Sequence, residues 1–319
     1  MLTSIELCAG AGGQALGLEQ AGFGHEALVE IDAHCCQTLR NNRPRWNVIE
    51  DDVRQFKDRA AAFAGVDLVA GGLPCPPFSV AGKQLGEQDE RNLFNDAVDI
   101  IDAVRPQAVM IENVRGFLDA VFSDYRERLK RQLRQLGYEV DWRLLNASDF
   151  GVPQLRPRVV IVAVRSDRSE FFGWPEPNGH NPPTVGETLY DMMAERGWRG
   201  AQAWRDQADE IAPTIVGGSK KHGGPDLGPT RARRAWAALN VEGRTIAEEA
   251  PDPFHQGMPR LTVPMVARLQ GFPDDWQFHG RKTNAYRQVG NAFPPPVARA
   301  VAEKIAEALR RPMLRALRA

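Results

Sequence analysis

Short apolar runs alternate with helix-like segments through the first half of the chain. Between these runs, apolar residues recur every three or four positions, which is the period of a helix with one buried face. Strands alternating with helices predict an α/β fold with a doubly wound, mostly parallel sheet. The predicted strands are 5–7, 27–29, 66–70, 108–111 and 159–164, and the predicted helices are 14–20, 33–41, 93–104 and 123–136, the last with Ser123 as its N-cap.

The pattern changes after Trp174. A proline-rich linker follows at 175–183, and from there to about Arg260 the sequence is irregular and rich in Gly, Pro, Trp and basic residues. Order returns with a helix that Thr262 caps, and a final helix is predicted from about 297 to 310. This change in composition and periodicity predicts a larger domain made of 1–178 plus 283–319 and a smaller, irregular domain at 179–282.

The composition places the chain among soluble globular proteins, because 43% of its 319 residues are hydrophobic and 25% are charged. No apolar run approaches the ~20 residues that a membrane-spanning helix needs. The first four residues enter the first predicted strand without a basic and apolar leader. We therefore expect a cytoplasmic protein without a membrane partner. The formal net charge of −1 does not by itself predict a nucleic-acid partner.

Four cysteines limit the metal and redox chemistry: Cys8, Cys35, Cys36 and Cys75. The adjacent pair does not have the spacing of a zinc half-site, and no second half-site exists. A disulfide framework is not expected in a leaderless chain of this size. We expect no metal and no disulfide, which leaves the role of Cys75 as the question.

A glycine loop after the first predicted strand indicates a cofactor site. Residues 6–15 read E-L-C-A-G-A-G-G-Q-A, with the relaxed dinucleotide spacing Gly10-x-Gly12-x-x-Ala15. Glycines there let a ligand approach backbone N–H groups at a helix N-terminus. Glu30, at the end of the next strand, is placed to accept hydrogen bonds from ribose hydroxyls. Together they predict a nucleoside cofactor, against the alternative of a tight turn beside a surface carboxylate.

A stiff loop with a thiol follows the strand predicted at 66–70. Residues 71–80 read G-G-L-P-C-P-P-F-S-V, and the three prolines remove backbone donors and fix φ. Stiff loops at strand ends hold reacting groups in α/β enzymes, but cysteine is also often a small buried hydrophobe. This stretch alone leaves open whether Cys75 is a nucleophile or a packing residue.

Cytosine chemistry offers a role for such a thiol. Position 5 of cytosine is a poor nucleophile until a group adds at C6, and a thiolate suits this reversible addition. Glu112 follows the next strand and is expected near Cys75, where a carboxylic acid could bond N3 and the exocyclic amine of the base. Alone, Glu112 fits a capping or surface residue. A nicotinamide-dependent dehydrogenase would not need the cysteine loop, whereas an S-adenosylmethionine enzyme acting on a pyrimidine would.

Four motifs resemble those of DNA (cytosine-5) methyltransferases of the bacterial restriction–modification type. The segments G-G-L-P-C-P-P-F-S around Cys75 and E-N-V at Glu112 look like the family's catalytic motifs. Q-L-R-P-R at 154–158 matches its Q-x-R-x-R element, and Q-V-G-N-A at 288–292 matches its C-terminal cofactor motif. They occur in the family's order and cover nearly the whole chain apart from roughly 185–256.

The resemblance implies methyl transfer from S-adenosyl-L-methionine to C5 of a cytosine flipped out of a specific duplex DNA sequence, through a covalent Cys75–C6 adduct. The smaller domain would then be a target-recognition domain. The implied catalytic residues are Cys75, Glu112, Arg156 and Arg158, the two arginines holding the base and the catalytic loop. The implied cofactor-binding residues are Cys8, Ala9, Gly10, Gly12, Gly13, Glu30, Ile31, Asp52, Val53, Pro74, Leu93 and Asn291.

Basic residues of the smaller domain are expected to grip phosphates, and the loop after the nucleophile is expected to close over the flipped base. The pair Gly217–Gly218 is interpreted either as a close backbone approach to DNA or as an ordinary turn. We expect the protein to be a monomer. Its expected partners are double-stranded DNA and a cognate restriction endonuclease that acts on the same site. The predicted DNA-binding residues are Ser79, Gln84, Lys220, Lys221, Arg231, Arg233, Arg234 and Arg260.

Two residues depart from the family's pattern. Cys8 stands where the family usually has a phenylalanine that packs against adenine, and Glu6 stands where it usually has aspartate. Neither touches the proposed chemistry, so we expect altered cofactor affinity rather than lost function.

Four other functions are alternatives that the sequence disfavours. An enzyme that methylates exocyclic amines needs a polar acceptor where Cys75 stands, and a thiol is a poor acceptor. A tRNA cytosine methyltransferase on the same scaffold would lack the roughly seventy residues before the helix near Leu261. A non-catalytic DNA-binding module would not need Cys75, Glu112, Arg156 and Arg158 together. A nicotinamide oxidoreductase would be revealed by the absorbance change of its cofactor.

Overall fold

The computed structural model describes residues 1–74, 93–218 and 224–312, which build one seven-stranded sheet in the order β3-β2-β1-β4-β5-β7-β6. Strands β1 to β5 pair in parallel, whereas β7 runs antiparallel to both of its neighbours. The prediction of a doubly wound, mostly parallel α/β sheet is confirmed. The strands are β1 (Leu2–Leu7), β2 (Phe23–Glu30), β3 (Val48–Glu50), β4 (Leu68–Gly71), β5 (Ala108–Val114), β6 (Tyr138–Asn146) and β7 (Pro157–Arg165).

Helices cover both faces of the sheet. Successive residues of a strand point to opposite faces, so each buried strand contributes to two separate cores. Val69 and Val109 belong to the core that packs beneath the helices Phe94–Val104 and Ser123–Gln135, whereas Leu68 and Ala108 belong to the core that the helix Pro295–Arg310 covers. The helices are α1 (Gly13–Gln20), α2 (Ala33–Asn42), α3 (Val53–Phe56), α4 (Phe94–Val104), α5 (Ser123–Gln135), α6 (Val185–Ala194), α7 (Ala201–Gln207), α8 (Thr230–Ala238), α9 (Val263–Leu269), α10 (Lys282–Asn291) and α11 (Pro295–Arg310).

Two sequence expectations about helices were wrong in detail. Helix α1 is not amphipathic, because all but its last two residues are buried. A Cβ on Gly17 would lie 2.6 Å from Ala298, so α1 and α11 pack almost backbone to backbone. Ser123 is the first residue of α5 rather than its cap, and the N-cap residue Phe122 makes no side-chain capping bond.

The region 179–282 is more helical than its irregular composition indicated. The structure places α6, α7, α8 and α9 in it, and α6 begins with a capping box between Thr184 and Glu187. Thr262 caps α9 as predicted, by accepting a hydrogen bond from the Met265 N–H. These helices and α10 share a hydrophobic core whose largest buried side chains include Trp204 and Trp236. Within the described ranges, no helix combines the length and apolar character that crossing a bilayer requires.

Candidate active site

A cavity of about 540 Å³ lies at the carboxyl ends of β1, β2, β4 and β5. The strand order reverses between β1 and β4, which is where doubly wound sheets bind ligands. All of the predicted cofactor residues except Gly12 line it: Cys8, Ala9, Gly10, Gly13, Glu30, Ile31, Asp52, Val53, Pro74, Leu93 and Asn291.

The loop after β1 owes its shape to glycines. Gly10 and Gly12 have φ values of 54° and 87°, in the left-handed region that favours glycine. A Cβ on Gly12 would lie 2.7 Å from Leu39 and 2.9 Å from Trp276, so this residue packs against the protein instead of the cavity. Nothing lies within 4 Å of a Cβ built on Gly10. The turn therefore leaves room beside Gly10 for a ligand.

Glu30 fixes the turn and keeps a carboxylate in the cavity wall. Its Oε2 accepts a hydrogen bond of 2.7 Å from the Gly10 N–H, and its Oε1 accepts one of 2.7 Å from the Asp32 N–H. Burial raises the pKa of Glu30, and these two hydrogen bonds oppose the rise because they favour the charged form. The carboxylate has further lone pairs with which hydroxyl groups of a ligand could bond.

Glu6 and Cys8 form the deep part of the cavity beside Glu30. Glu6 is 1% exposed, and burial together with the charge of Glu30 raises its pKa well above the usual value. Its Oε2 has no hydrogen-bond partner among the described residues. Burial raises the pKa of the Cys8 thiol as well, with Glu30, Asp52 and Glu6 adding to the rise, so this thiol stays protonated and is unsuited to be a nucleophile.

The outer part of the cavity combines an apolar surface with a carboxylate. Ile31 is 65% exposed, which is unusual for a large apolar side chain and leaves it free to contact a flat ring. Asp52 caps α3 by accepting from the Arg54 N–H, and its carboxylate forms an ion pair of 2.5 Å with the Arg54 guanidinium. The hydrogen bond from Arg54 is the main reason that the pKa of Asp52 is lowered.

Glu112 and Arg158 form a buried ion pair at the side of the cavity. Because β5 and β7 are antiparallel and Val114 lies opposite Arg158, the side chains of Glu112 and Arg158 point to the same face. Glu112 Oε1 lies 2.7 Å from Arg158 Nε. Burial raises the pKa of Glu112, while the charges of Arg158 and Arg156 oppose the rise.

The end of β4 brings the cysteine loop towards this ion pair. A Cβ built on Gly72 would lie 3.6 Å from Glu112 Oε2, and both Gly72 and Pro74 line the cavity. Cys75, Ser79 and Gln84 lie outside the described residues. The described residues thus bring Glu112 within reach of the chain segment that leads directly into Cys75.

Arg156 connects three segments instead of facing the cavity. It is fully buried, and its guanidinium donates hydrogen bonds of 2.7, 2.8 and 2.9 Å to the carbonyl oxygens of Ile215, Gly290 and Ala292. Gln154 supports the same junction by accepting a 2.9 Å hydrogen bond from the Ile215 N–H. The Q-x-R-x-R element therefore fastens the segment around residue 215 to the end of α10.

Gly217 allows close approach to α10. A Cβ on Gly217 would lie 2.4 Å from Asn291 Oδ1, and a Cβ on Gly290 would lie 2.5 Å from Gly217 Cα. Asn291 Nδ2 donates a 3.2 Å hydrogen bond to the Gly218 carbonyl. Gly217 thus packs closely against α10, and this contact positions Asn291 and Gly218 in the cavity wall.

Comparison with known proteins agrees with this arrangement. Residues 2–307 match the family model described as C-5 cytosine-specific DNA methylase. The chain belongs to this family. The methylase is similar to the Type II methyltransferase M.NaeI of Lentzea aerocolonigenes, with 56% identity over 313 residues that cover 97% of this chain and 75% of the relative. It is 54% identical to the Type II methyltransferase M.NgoMIV of Neisseria gonorrhoeae, over 97% of this chain and 98% of the relative.

A solved structure supports the fold of the methylase independently. The Dnmt2 methyltransferase of S. pombe superimposes with a TM-score of 0.67 at 20% identity, covering 98% of this chain and 100% of that one. The family match and the two relatives confirm the resemblance drawn from the motifs: the protein is a DNA (cytosine-5) methyltransferase, and its family implies the use of S-adenosylmethionine.

The predicted DNA-binding residues of this methylase are only partly described. Arg231, Arg233 and Arg234 lie on α8, where the first and third are exposed and Arg233 is half-buried, with its guanidinium 3.4 Å from Thr230 Oγ1. Arg260 is exposed before α9. None of these four arginines forms an ion pair with a carboxylate of the described chain. Lys220 and Lys221 lie outside the described residues.

Sequence reasoning missed part of the cavity wall of the methylase. Helix α10 was not predicted, and its side chains Asn284, Arg287 and Gln288 line the cavity together with the predicted Asn291. The available signal was the recurrence of polar side chains every three to four positions before the motif Q-V-G-N-A. His34 and Cys35 of α2 also line the cavity without having been singled out.

Proposed function

We propose that this enzyme methylates C5 of a cytosine that is flipped out of duplex DNA, through a covalent bond between Cys75 Sγ and C6 of the base. The observation that carries the proposal is the position of Glu112, which forms an ion pair with Arg158 beside the Gly72–Pro74 segment at the side of the cofactor-sized cavity. A pyrimidine held there by Glu112 would meet the chain segment from which Cys75 follows.

The residues present fit S-adenosylmethionine. Space without side chains at Gly10 suits the amino-acid half of the cofactor, Glu30 suits its ribose hydroxyls, and Ile31 offers an apolar surface to its adenine. Asp52 near the adenine amino group and Asn291 in the opposite wall complete the proposed contacts. When bound, this cofactor supplies an electrophilic methyl group.

The chain's own residues would then activate the base. The Cys75 thiolate forms a bond to C6, and the electron pair of the C5–C6 double bond makes C5 nucleophilic. Charge also develops on the ring at N3, where Glu112 donates a hydrogen bond or a proton. The raised pKa of Glu112 favours its neutral, donating form, and Arg158 holds the carboxyl group in place. After methylation, water takes the C5 proton, the C5–C6 double bond re-forms as the Cys75 sulfur leaves as a thiolate, and Glu112 regains any proton that it gave to N3.

The remaining residues are proposed to hold the DNA. Residues 179–282 would serve as a target-recognition domain and 1–178 plus 283–319 as the catalytic domain. Lys220, Lys221, Arg231, Arg233, Arg234 and Arg260 would contact phosphates, while Ser79 and Gln84 would lie over the flipped base. Because its relatives are named Type II methyltransferases, we also propose a modification role beside a restriction endonuclease, for a cytoplasmic monomer.

DNA containing 5-fluorocytosine tests the covalent step, because fluorine at C5 cannot leave as a proton and the Cys75–C6 bond would persist. We expect a denaturant-resistant complex of the wild-type protein with this DNA in the presence of S-adenosylmethionine. Cys75→Ser should form no such complex and should transfer no methyl group, while still binding DNA. Cys36→Ala, which changes a fully buried thiol of α2, is the control and should still form the complex. Retained methyl transfer by Cys75→Ser would refute the proposal.

A further inference from the structure

Helix α10 presents a polar stripe to the cofactor cavity. Asn284, Arg287, Gln288 and Asn291 are spaced by three, four and seven positions from the first, so they lie on one face of the helix, and all four line the cavity. Of these four residues, the sequence predicted only Asn291 to bind the cofactor.

Three members of the stripe are held by the protein. Asn284 Nδ2 lies 2.8 Å from His34 Nε2, and Gln288 Oε1 accepts a 2.6 Å hydrogen bond from Thr38 Oγ1. The third, Asn291, donates to the carbonyl of Gly218. The first two bonds hold the helix against α2 and the third holds it against the segment that ends at Gly218, so these side chains have defined positions.

Arg287 is the exception. Its side chain is half-buried, and among the described residues it makes no hydrogen bond and no ion pair. Arg54 is the one other arginine or lysine that lines the cavity within the described chain, and Asp52 already pairs with it. A guanidinium has five donors and no acceptor, so a half-buried one without a partner is suited to a ligand that brings an anionic oxygen pair.

The charges around Arg287 restrict that ligand. Most carboxylates of the wall already have partners: backbone N–H groups for Glu30, Arg54 for Asp52 and Arg158 for Glu112. Glu30 and Asp52 thus give the lining carboxyl groups that suit the sulfonium and ammonium of S-adenosylmethionine. Among the described residues of the lining, Arg287 is the one arginine or lysine without a partner. The α-carboxylate is the single anionic group of that cofactor.

We propose that Arg287 binds the α-carboxylate of the cofactor's methionine half and so selects cofactors that carry it. The inference rests on the proposed use of this cavity by S-adenosylmethionine. The planar fork of arginine matches a carboxylate with two parallel hydrogen bonds, which lysine cannot reproduce.

A comparison of two ligands isolates this contact. S-adenosylmethionine and its decarboxylated analogue differ by the carboxylate alone, and calorimetry gives the dissociation constant of each with the wild-type protein and with Arg287→Met and Arg287→Lys. We expect Arg287→Met to weaken S-adenosylmethionine binding about 10- to 100-fold, the range for a hydrogen-bonded charge pair, and to change binding of the analogue less than about threefold. Arg287→Lys should lie between Arg287→Met and the wild type. Arg281→Met, an exposed arginine at the start of the same helix outside the cavity, should leave both constants unchanged.

Several outcomes would overturn the inference. Equal weakening of both ligands would mean that Arg287 only supports the helix, and no weakening of either would mean that it makes no cofactor contact. If DNA affinity and its salt dependence fell while both ligands bound normally, Arg287 would be a phosphate contact. Failure of the wild-type protein to bind S-adenosylmethionine at all would instead remove the proposed function, and the inference with it.

Discussion

At the scale of single residues, the site depends on a carboxyl group under opposing influences. Burial favours the neutral form of Glu112, and the guanidinium of Arg158, 2.7 Å away, favours the charged form. Burial is the larger influence, so the pKa of Glu112 is raised and the neutral form that can donate to a ring nitrogen is favoured. These properties fit the proposed role of Glu112 as an acid that acts on the target base, and a cap or surface residue would not need them.

Glu112→Gln should slow methyl transfer by about 10²- to 10⁴-fold, because glutamine keeps the shape and can still contact Arg158 but cannot deliver a proton. The rate is measured in single-turnover reactions with labelled S-adenosylmethionine, and circular dichroism checks that the fold is retained. Glu139→Gln, which removes an exposed carboxylate from β6, is the matched control and should leave the rate unchanged. A loss of less than threefold in Glu112→Gln would contradict the assigned role.

At the scale of elements, the cofactor cavity depends on how closely the segment at 215–218 approaches α10. The backbones of Gly217 and Gly290 are in contact, and the Arg156 guanidinium donates hydrogen bonds to the carbonyl groups of both Ile215 and Gly290. An interface packed this closely has no space for an extra methyl group. The motif Q-x-R-x-R and the motif Q-V-G-N-A are therefore two halves of one junction.

Gly290→Ala tests this junction, because helix propensity predicts a more stable protein and the close contact predicts a less stable one. Alanine is the better helix former by about 0.5–1 kcal/mol, so propensity alone would stabilise the protein. The added Cβ would lie 2.5 Å from Gly217 Cα, however, and relieving that overlap should cost about 1–3 kcal/mol. We expect a lower melting temperature and weaker S-adenosylmethionine binding. Gly173→Ala, whose Cβ would meet nothing within 4 Å, is the control. A melting temperature equal to or above that of the wild type would exclude the close contact.

The elements also show what the sequence could reveal. Strands β2, β4, β5 and β7 were predicted because each contains a continuous apolar run that two helical layers bury, and β1 was predicted from Ile5 and Leu7 on either side of Glu6. Strand β6 was not predicted. As an edge strand it buries one face only, so it has no continuous apolar run, and Tyr138 and Val140 alternate with charged residues instead. Residues on one loop, such as Gly10 and Gly13, were predicted from local motifs. The ion pair of Glu112 with Arg158 and the position of Arg287 depend on which strands and helices become neighbours, and local patterns do not contain that information.

At the scale of the whole molecule, the sum of charges gives no attraction to DNA, since the net charge is −1. Binding to a polyanion must therefore come from an uneven distribution of charge. The cofactor cavity gathers carboxylates such as Glu30 and Asp52, whereas Arg231 and Arg234 on α8 are exposed without an ion-pair partner in the described chain. This separation favours α8 and its surroundings as the phosphate-binding surface.

The double substitution Arg231→Ala with Arg234→Ala should weaken DNA binding and reduce the salt dependence of the binding constant. Each lost phosphate contact lowers the slope of log K against log salt by about 0.9, so two contacts would lower it by about 1.8. Fluorescence anisotropy of labelled duplex DNA, measured at several salt concentrations, gives this slope. Arg131→Ala with Arg134→Ala on α5 removes the same net charge and should leave the slope almost unchanged. Equal slopes in the two double variants would mean that α8 contacts no phosphate, because net charge alone would then account for any loss of affinity.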